Sequence, residues 1–118
     1  MYDKKGVLNG NSISYYEEGN IQSIFPYKNN LIEGLVIRYY ENGNTKYQGL
    51  EINGKREGKW TSYFETGEIE AQEQWSKNKL NGYQIFYYRN KNIEGEFNWE
   101  NGKLEGIVKR YYEDGTPE

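Results

Sequence analysis

Apolar and polar residues alternate with a period of two along much of this chain. In residues 92–99, Ile93, Phe97 and Trp99 fall on one side and Glu94, Glu96 and Asn98 on the other. In residues 68–75, Ile69, Ala71 and Trp75 oppose Glu68, Glu70, Gln72 and Gln74. Nearer the start, Ile21, Phe25 and Tyr27 take the apolar side. Such alternation predicts half-buried strands. Other runs, such as residues 35–40 (Leu-Val-Ile-Arg-Tyr-Tyr), are dense in strand-forming residues. No segment has helical periodicity.

The alternation sits inside a longer period. Gly10, Gly34, Gly58, Gly82 and Gly106 stand 24 residues apart. Five residues after each comes an aromatic pair: Tyr15-Tyr16, Tyr39-Tyr40, Tyr63-Phe64, Tyr87-Tyr88 and Tyr111-Tyr112. Three residues further stands Gly19, Gly43, Gly67 or Gly115, with Lys91 in the fourth unit. The linkers Asn53-Gly54-Lys55, Lys77-Asn78-Lys79 and Asn101-Gly102-Lys103 repeat as well. Asn-Gly and Asp-Gly turns favour hairpins because the turn needs positive φ. Each unit therefore reads as a β-hairpin, and residues 1–118 as a single repeat domain with incomplete first and last units. The fold expected is all-β: one elongated antiparallel sheet of about nine strands, twisted or curled because long flat sheets are rare.

A four-residue hairpin loop would set Tyr16 opposite Ile21 and place the second aromatic of each pair on the apolar side, with Trp60 and Phe86. The first tyrosines, Tyr15, Tyr39, Tyr63, Tyr87 and Tyr111, would then form a ladder on the opposite, wetter face. A one-residue bulge would flip this assignment. Pro117 is placed to blunt a terminal edge.

The pattern G-x-x-x-x-Y-Y/F-E-x-G-x-I/T, followed by N-G-K-x-x-G, resembles the variant MORN repeat typical of bacterial YwqK-like antitoxin proteins. The resemblance covers nearly the whole chain, from Gly6 to Gly115. It implies a β-sheet rod or curled sheet. It also implies roles in toxin neutralisation, in protein scaffolding or, for MORN repeats generally, in contact with membrane lipids. Lys91 for the turn glycine and Arg89 for the usual acid depart from the pattern. They bring the fourth turn's geometry into question.

Composition sharpens the picture. Hydrophobic residues make up only 35%, but aromatics reach 17% with 13 tyrosines, which argues for a thin ordered structure rather than disorder. The chain has no cysteine and no histidine, removing disulfides, thiolate sites, the commonest general base and a usual zinc ligand. Its two aspartates, Asp3 and Asp114, form no calcium loop. Hence no cofactor or metal is expected. The net charge of −3 argues against direct nucleic-acid binding, and the absence of a basic run argues against a membrane surface. No apolar stretch follows Met1-Tyr2-Asp3-Lys4-Lys5-Gly6, so a cytoplasmic location is expected.

Gly54-x-x-x-Gly58 and Gly102-x-x-x-Gly106 look like phosphate loops, but lack the Lys-Ser/Thr and the helix of one. Paired carboxylates could hydrolyse glycosides, a chemistry that needs a cleft which an open sheet does not supply. No catalytic residue is assigned and the chain is not expected to be an enzyme. If the alternation holds, Glu68, Glu70, Glu94 and Glu96 share one surface beside Tyr63, Tyr83 and Tyr87. The acids of such a patch would steer a basic protein partner, and its tyrosines are of a type favoured at binding hot spots. The reading is a non-catalytic antitoxin, immunity protein or similar inhibitor that binds a toxic or nucleic-acid-acting effector. A phage-encoded inhibitor of a defence nuclease belongs to the same class. A scaffold that self-associates through sheet edges is the alternative, followed by a lipid-surface module.

Overall fold

A computed structural model describes residues 6–118, with the side chains of all but Ile107 and Val108. Met1 to Lys5, and with them Asp3 and the N-terminal stretch read for a leader, lie outside the described residues. The strands are β1 (Gly10–Tyr15), β2 (Ile21–Lys28), β3 (Leu31–Ile32), β4 (Gly34–Tyr39), β5 (Thr45–Ile52), β6 (Lys55–Tyr63), β7 (Ile69–Ser76), β8 (Lys79–Tyr87), β9 (Ile93–Glu100) and β10 (Lys103–Arg110). All pairings are antiparallel, and the order is β1-β2-β4-β5-β6-β7-β8-β9-β10, with the two-residue β3 beside β2. No helix occurs among the described residues. The molecule is one elongated, open sheet measuring 58 × 36 × 14 Å.

Two kinds of turn alternate along it. On one edge, two-residue turns carry positive φ at both positions, as at Asn53 (52°) and Gly54 (76°). Their twist matches that of the flanking strands. On the other edge, Glu17-Glu18-Gly19 forms a three-residue turn. The Gly19 N–H donates to the Tyr16 carbonyl at 2.9 Å, and the Tyr16 N–H to the Asn20 carbonyl at 2.7 Å. The same pair of bonds recurs at Tyr40, Phe64, Tyr88 and Tyr112. The third residue takes positive φ, which Gly43 adopts freely at 93°. Lys91 adopts it too, at 78°, and its N–H reaches the Tyr88 carbonyl at 3.0 Å. The fourth turn thus keeps the common geometry despite its lysine.

The register corrects the faces expected from alternation. The hairpin loop has three residues rather than four, and Tyr15, not Tyr16, pairs with Ile21. Immediately afterwards a one-residue bulge lets Ser14 pair with Ser23 and leaves Gln22 extra. The bulge recurs at Lys46, Glu70 and Glu94, between the pairs Arg38–Tyr47 and Tyr39–Thr45, Ser62–Ala71 and Tyr63–Ile69, and Phe86–Gly95 and Tyr87–Ile93. An extra residue switches every later side chain to the other face. Ile21, Ile69 and Ile93 therefore stand with the first tyrosines. Phe25, Ala71, Trp75, Phe97 and Trp99 stand on the opposite side with Trp60 and Phe86.

The sheet has, in consequence, a tryptophan face and a tyrosine face. Val36, Trp60, Ala71, Ser23 and Gln84, all buried, lie on the tryptophan face by register; of the buried side chains among the described residues only Thr61 lies on the other. A single layer can bury one of its faces only by curling toward it. Close packing there depends on Gly49, whose added Cβ would stand 2.1 Å from the Trp60 ring. The Trp60 indole N–H donates to the Leu50 carbonyl at 3.1 Å. Trp75 and Trp99 donate to Glu73 (3.1 Å) and Gln84 (2.9 Å), and Gln84 joins Glu73 at 2.7 Å. Each tryptophan N–H on this face is satisfied, as burial demands. Tyr16, Tyr40, Phe64 and Tyr88 are half-buried while Tyr112 is exposed, and three of the hydroxyls clasp the next repeat: Tyr16 donates to the Tyr39 carbonyl, Tyr40 to that of Tyr63 and Tyr88 to that of Tyr111.

Candidate protein-binding surface

The tyrosine face is built by the first aromatic of each pair, held one per hairpin at 24-residue spacing. Three of these rings are fixed from the preceding hairpin. The Gln48 amide donates to the Tyr63 hydroxyl at 3.2 Å. The Tyr87 hydroxyl donates to Gln72 Oε1 at 3.1 Å, and that of Tyr111 to Glu96 Oε2 at 3.3 Å. Tyr83 shares the face, pairs with Asn98 and is 36% exposed. Between the rings run two adjoining depressions. One of about 500 Å³ is lined by Leu35, Leu50, Lys59, Tyr63, Ile69 and Gln72 among others. The next, of about 400 Å³, shares Ile69 and Gln72 and extends to Glu68, Tyr87 and Lys91.

Tyr63, Tyr83 and Tyr87 are brought together on this face, with Glu96 and Glu68 beside them. Glu70 and Glu94 are not. As bulge residues they turn to the tryptophan side: Glu70 acts on the Tyr40 hydroxyl, and Glu94 lines a depression with Phe86 and Phe97. The four acids thus fail to form the single surface that alternation suggested, because one member of each pair is itself the extra residue of the bulge. Their local partners differ as well. The Thr66 hydroxyl donates to Glu68 and, as the largest cause, holds its carboxyl below the usual range.

Charge is distributed unevenly along the sheet. Residues 60–118 carry 11 acids against 7 bases, whereas residues 1–59 carry 7 acids against 8 bases. The Tyr40 hydroxyl is pushed up by burial first and then by Glu70 and Glu65. No group of three or more acidic, cysteine or histidine side chains among the described residues could hold a metal ion. At the other end of the tyrosine face, Ile13, Ile24 and Ile37 pair across three strands and Leu35 pairs with Leu50. Alternation did not anticipate this apolar quarter. The signal available was the partner across the sheet rather than the position itself: Ile13 and Ile37 face Ile24, whereas Ile85 at the same repeat position faces Glu96.

The family model of the MORN repeat variant matches the chain at residues 8–29, 32–50, 56–77, 80–101 and 104–118. No curated protein matches it. The matched stretches cover most of the chain and follow the 24-residue period and the hairpins described above. By its repeats, its turns and its open sheet, the chain belongs to the MORN repeat variant family and is a repeat-built binding module.

Proposed function

We propose that this protein is a non-catalytic inhibitor of the antitoxin or immunity type, which neutralises a basic effector protein by direct binding. The observation that carries this reading is the fixed tyrosine ladder in the acidic half of the sheet. Tyr63, Tyr87 and Tyr111 are held by hydrogen bonds before any partner arrives. Preordered aromatic side chains lose little rotamer freedom on binding and supply much contact area. The surplus of acids in residues 60–118 favours encounter with a basic surface, such as one that handles nucleic acid. Glu96 supplies a carboxylate on the tyrosine face itself, and Glu68 borders one of its depressions.

The test is co-purification from the native host with the wild-type chain and with a Tyr83→Ala/Glu96→Lys variant, followed by co-expression of the captured protein. Support would be a stoichiometric basic protein whose toxicity the wild type suppresses and the variant does not. A captured protein that is harmless, or one held equally by the variant, would sink the reading. A second reading, self-association as a scaffold, is favoured by the sheet edges. Among the described residues the outer side of β1 has no partner, and that of β10 meets only Pro117 and Glu118 near its end. Light scattering of the purified chain over a range of concentrations would reveal growing oligomers if the edges pair.

A further inference from the structure

We infer that the fourth repeat carries an aromatic box on the tryptophan face, which receives an arginine or lysine side chain of a partner protein. The inference rests on the reading above that the partner is basic, and it places one contact on the other face. Phe86, Tyr88 and Phe97 wall a depression of about 290 Å³ above Gly95, with Glu94, Glu118 and Arg110 at its rim. Phe86 and Phe97 meet edge to face, with centroids 5.9 Å apart. Tyr88 is held in place by its hydroxyl, which donates to the Tyr111 carbonyl at 2.7 Å.

The box exists because of Gly95. At the same repeat position stand Ser23, Tyr47 and Ala71, each with a side chain. A Cβ on Gly95 would lie 3.1 Å from the Phe97 ring, so a side chain there would crowd that wall and fill part of the floor. The aromatic at Tyr88 recurs in every repeat and Phe25 matches Phe97 in the first, but the Phe86–Phe97 pair is peculiar to this repeat, since Ser14 stands where Phe86 does in the first. Ser62 and Glu73 occupy the positions of Phe86 and Phe97 one repeat earlier, and Arg38 and Gly49 do so two repeats earlier.

The chemistry of the box selects a cation. Aromatic faces attract ammonium and guanidinium groups, and a carboxylate at the rim strengthens the attraction. The Phe97 ring already draws the Arg110 guanidinium, 5.8 Å from its centroid. Neither Glu94 nor Glu118 is in an ion pair; the single ion pair among the described residues joins Arg89 to Glu65. Two carboxylates against one guanidinium leave the rim negative. The Tyr88 hydroxyl registers this: it is pushed up by burial and then by Glu94 and Glu118. An acidic side chain would be repelled here, and a neutral one would gain nothing from the rim.

The experiment follows backbone amide shifts of Gly95 and Phe97 by NMR, in the full chain, during titration with blocked amino acids. The probes are the N-acetyl methylamides of arginine, lysine, norleucine and glutamate. Saturable shifts with arginine and lysine, and none with norleucine or glutamate, are expected. Glu94→Gln and Phe97→Leu should each weaken arginine binding by about fivefold, and Leu31→Ala, exposed in β3 near the other end of the sheet, should not. Equal shifts with norleucine, no saturable shift with any cation, or full affinity in Glu94→Gln would overturn the box. Glu94 is exposed, so its variant remains informative if Phe97→Leu fails to fold. If the probes bind as expected and no inhibited effector is found, the inhibitor reading fails and the box stands as a cation site. An effector captured and inhibited equally by wild type and Glu94→Gln would leave the inhibitor reading intact and remove the box from it.

Discussion

The hydroxyl of Tyr40 donates to the backbone carbonyl of Tyr63 at 2.6 Å, clasping one hairpin to the next. The same bond joins Tyr16 to Tyr39 and Tyr88 to Tyr111. A repeat sheet without a second layer gains cohesion chiefly between neighbours, so such bonds matter more than in a layered domain. Tyr40→Phe keeps the ring and removes only the donor. It should cost about 1 kcal/mol, read as a lower urea midpoint with an unchanged slope. An unaltered midpoint would mean that the clasp contributes nothing.

The clasp is missing at the third unit, where Phe64 has no hydroxyl. Arg89 takes its place, with its guanidinium 4.6 Å from the Phe64 centroid and a two-pronged ion pair to Glu65 at 2.9 and 3.2 Å. The hydrogen bond from Arg89 is the largest cause holding the Glu65 carboxyl below its usual range. A carboxyl whose folded value is lowered stabilises the fold above its unfolded value of about 4.3, and the gain is lost as pH falls through the lower folded value. Arg89→Gln should therefore lower the urea midpoint at pH 7 and have little further effect near pH 3. Added salt should shrink the difference, since both side chains are half-exposed or more, at 58% and 50%. The same loss at both pH values would show that stacking on Phe64, not the ion pair, joins these hairpins.

The 24-residue spacing, the hairpins and the tyrosine ladder were legible in the sequence because glycine and asparagine mark positive-φ positions and aromatics recur in phase. The bulge was not. Its extra residue is Gln22, Lys46, Glu70 or Glu94, and no shared chemistry announces it. The bulge is set by the backbone, where the three-residue turn hands over to the ladder. One unread residue moved Ile93 away from Phe97 and Glu94 away from Glu96. The box around Gly95 was hidden for another reason. The aromatic at Tyr88 recurs in every unit, but Phe86 and Gly95 are departures from the repeat, and only together with Phe97 do they make the box.

Lys91 gives a separate test of the turn. It holds φ at 78°, where its counterparts Gly19, Gly43, Gly67 and Gly115 hold between 92° and 107°. A side chain in that region costs about 1 kcal/mol through the contact of Cβ with the backbone. Lys91→Gly should recover roughly that amount, less the added freedom of glycine in the unfolded chain. Gly43→Lys, the mirror experiment, should lose a similar amount. Calorimetric midpoints moving in opposite directions are the expected outcome. A loss in both variants would show that Lys91 makes a contact worth more than its strain.

Trp60 and Gly49 offer the sharpest test of the packed face. Gly49 lies opposite Trp60 between β5 and β6, within the stretch where three residues of β6 face one of β5. Its missing side chain lets the indole lie flat against the strand. The ideal Cβ of an alanine would stand 2.1 to 2.4 Å from three ring atoms, and a ring that size has no free end to swing aside. Trp60 is only 3% exposed and also bonds the Leu50 carbonyl, so displacing it forfeits burial and a hydrogen bond together. Gly49→Ala should therefore cost about 1–3 kcal/mol, in the range of overpacked cores. Trp60→Leu alone should cost a comparable amount through the cavity it leaves. Because the two residues touch, the double variant should lose less than the two single losses added together, since a smaller side chain at 60 makes room for the methyl group. Strict additivity in urea unfolding would mean that Trp60 does not lean on Gly49, and that this face is packed in some other way.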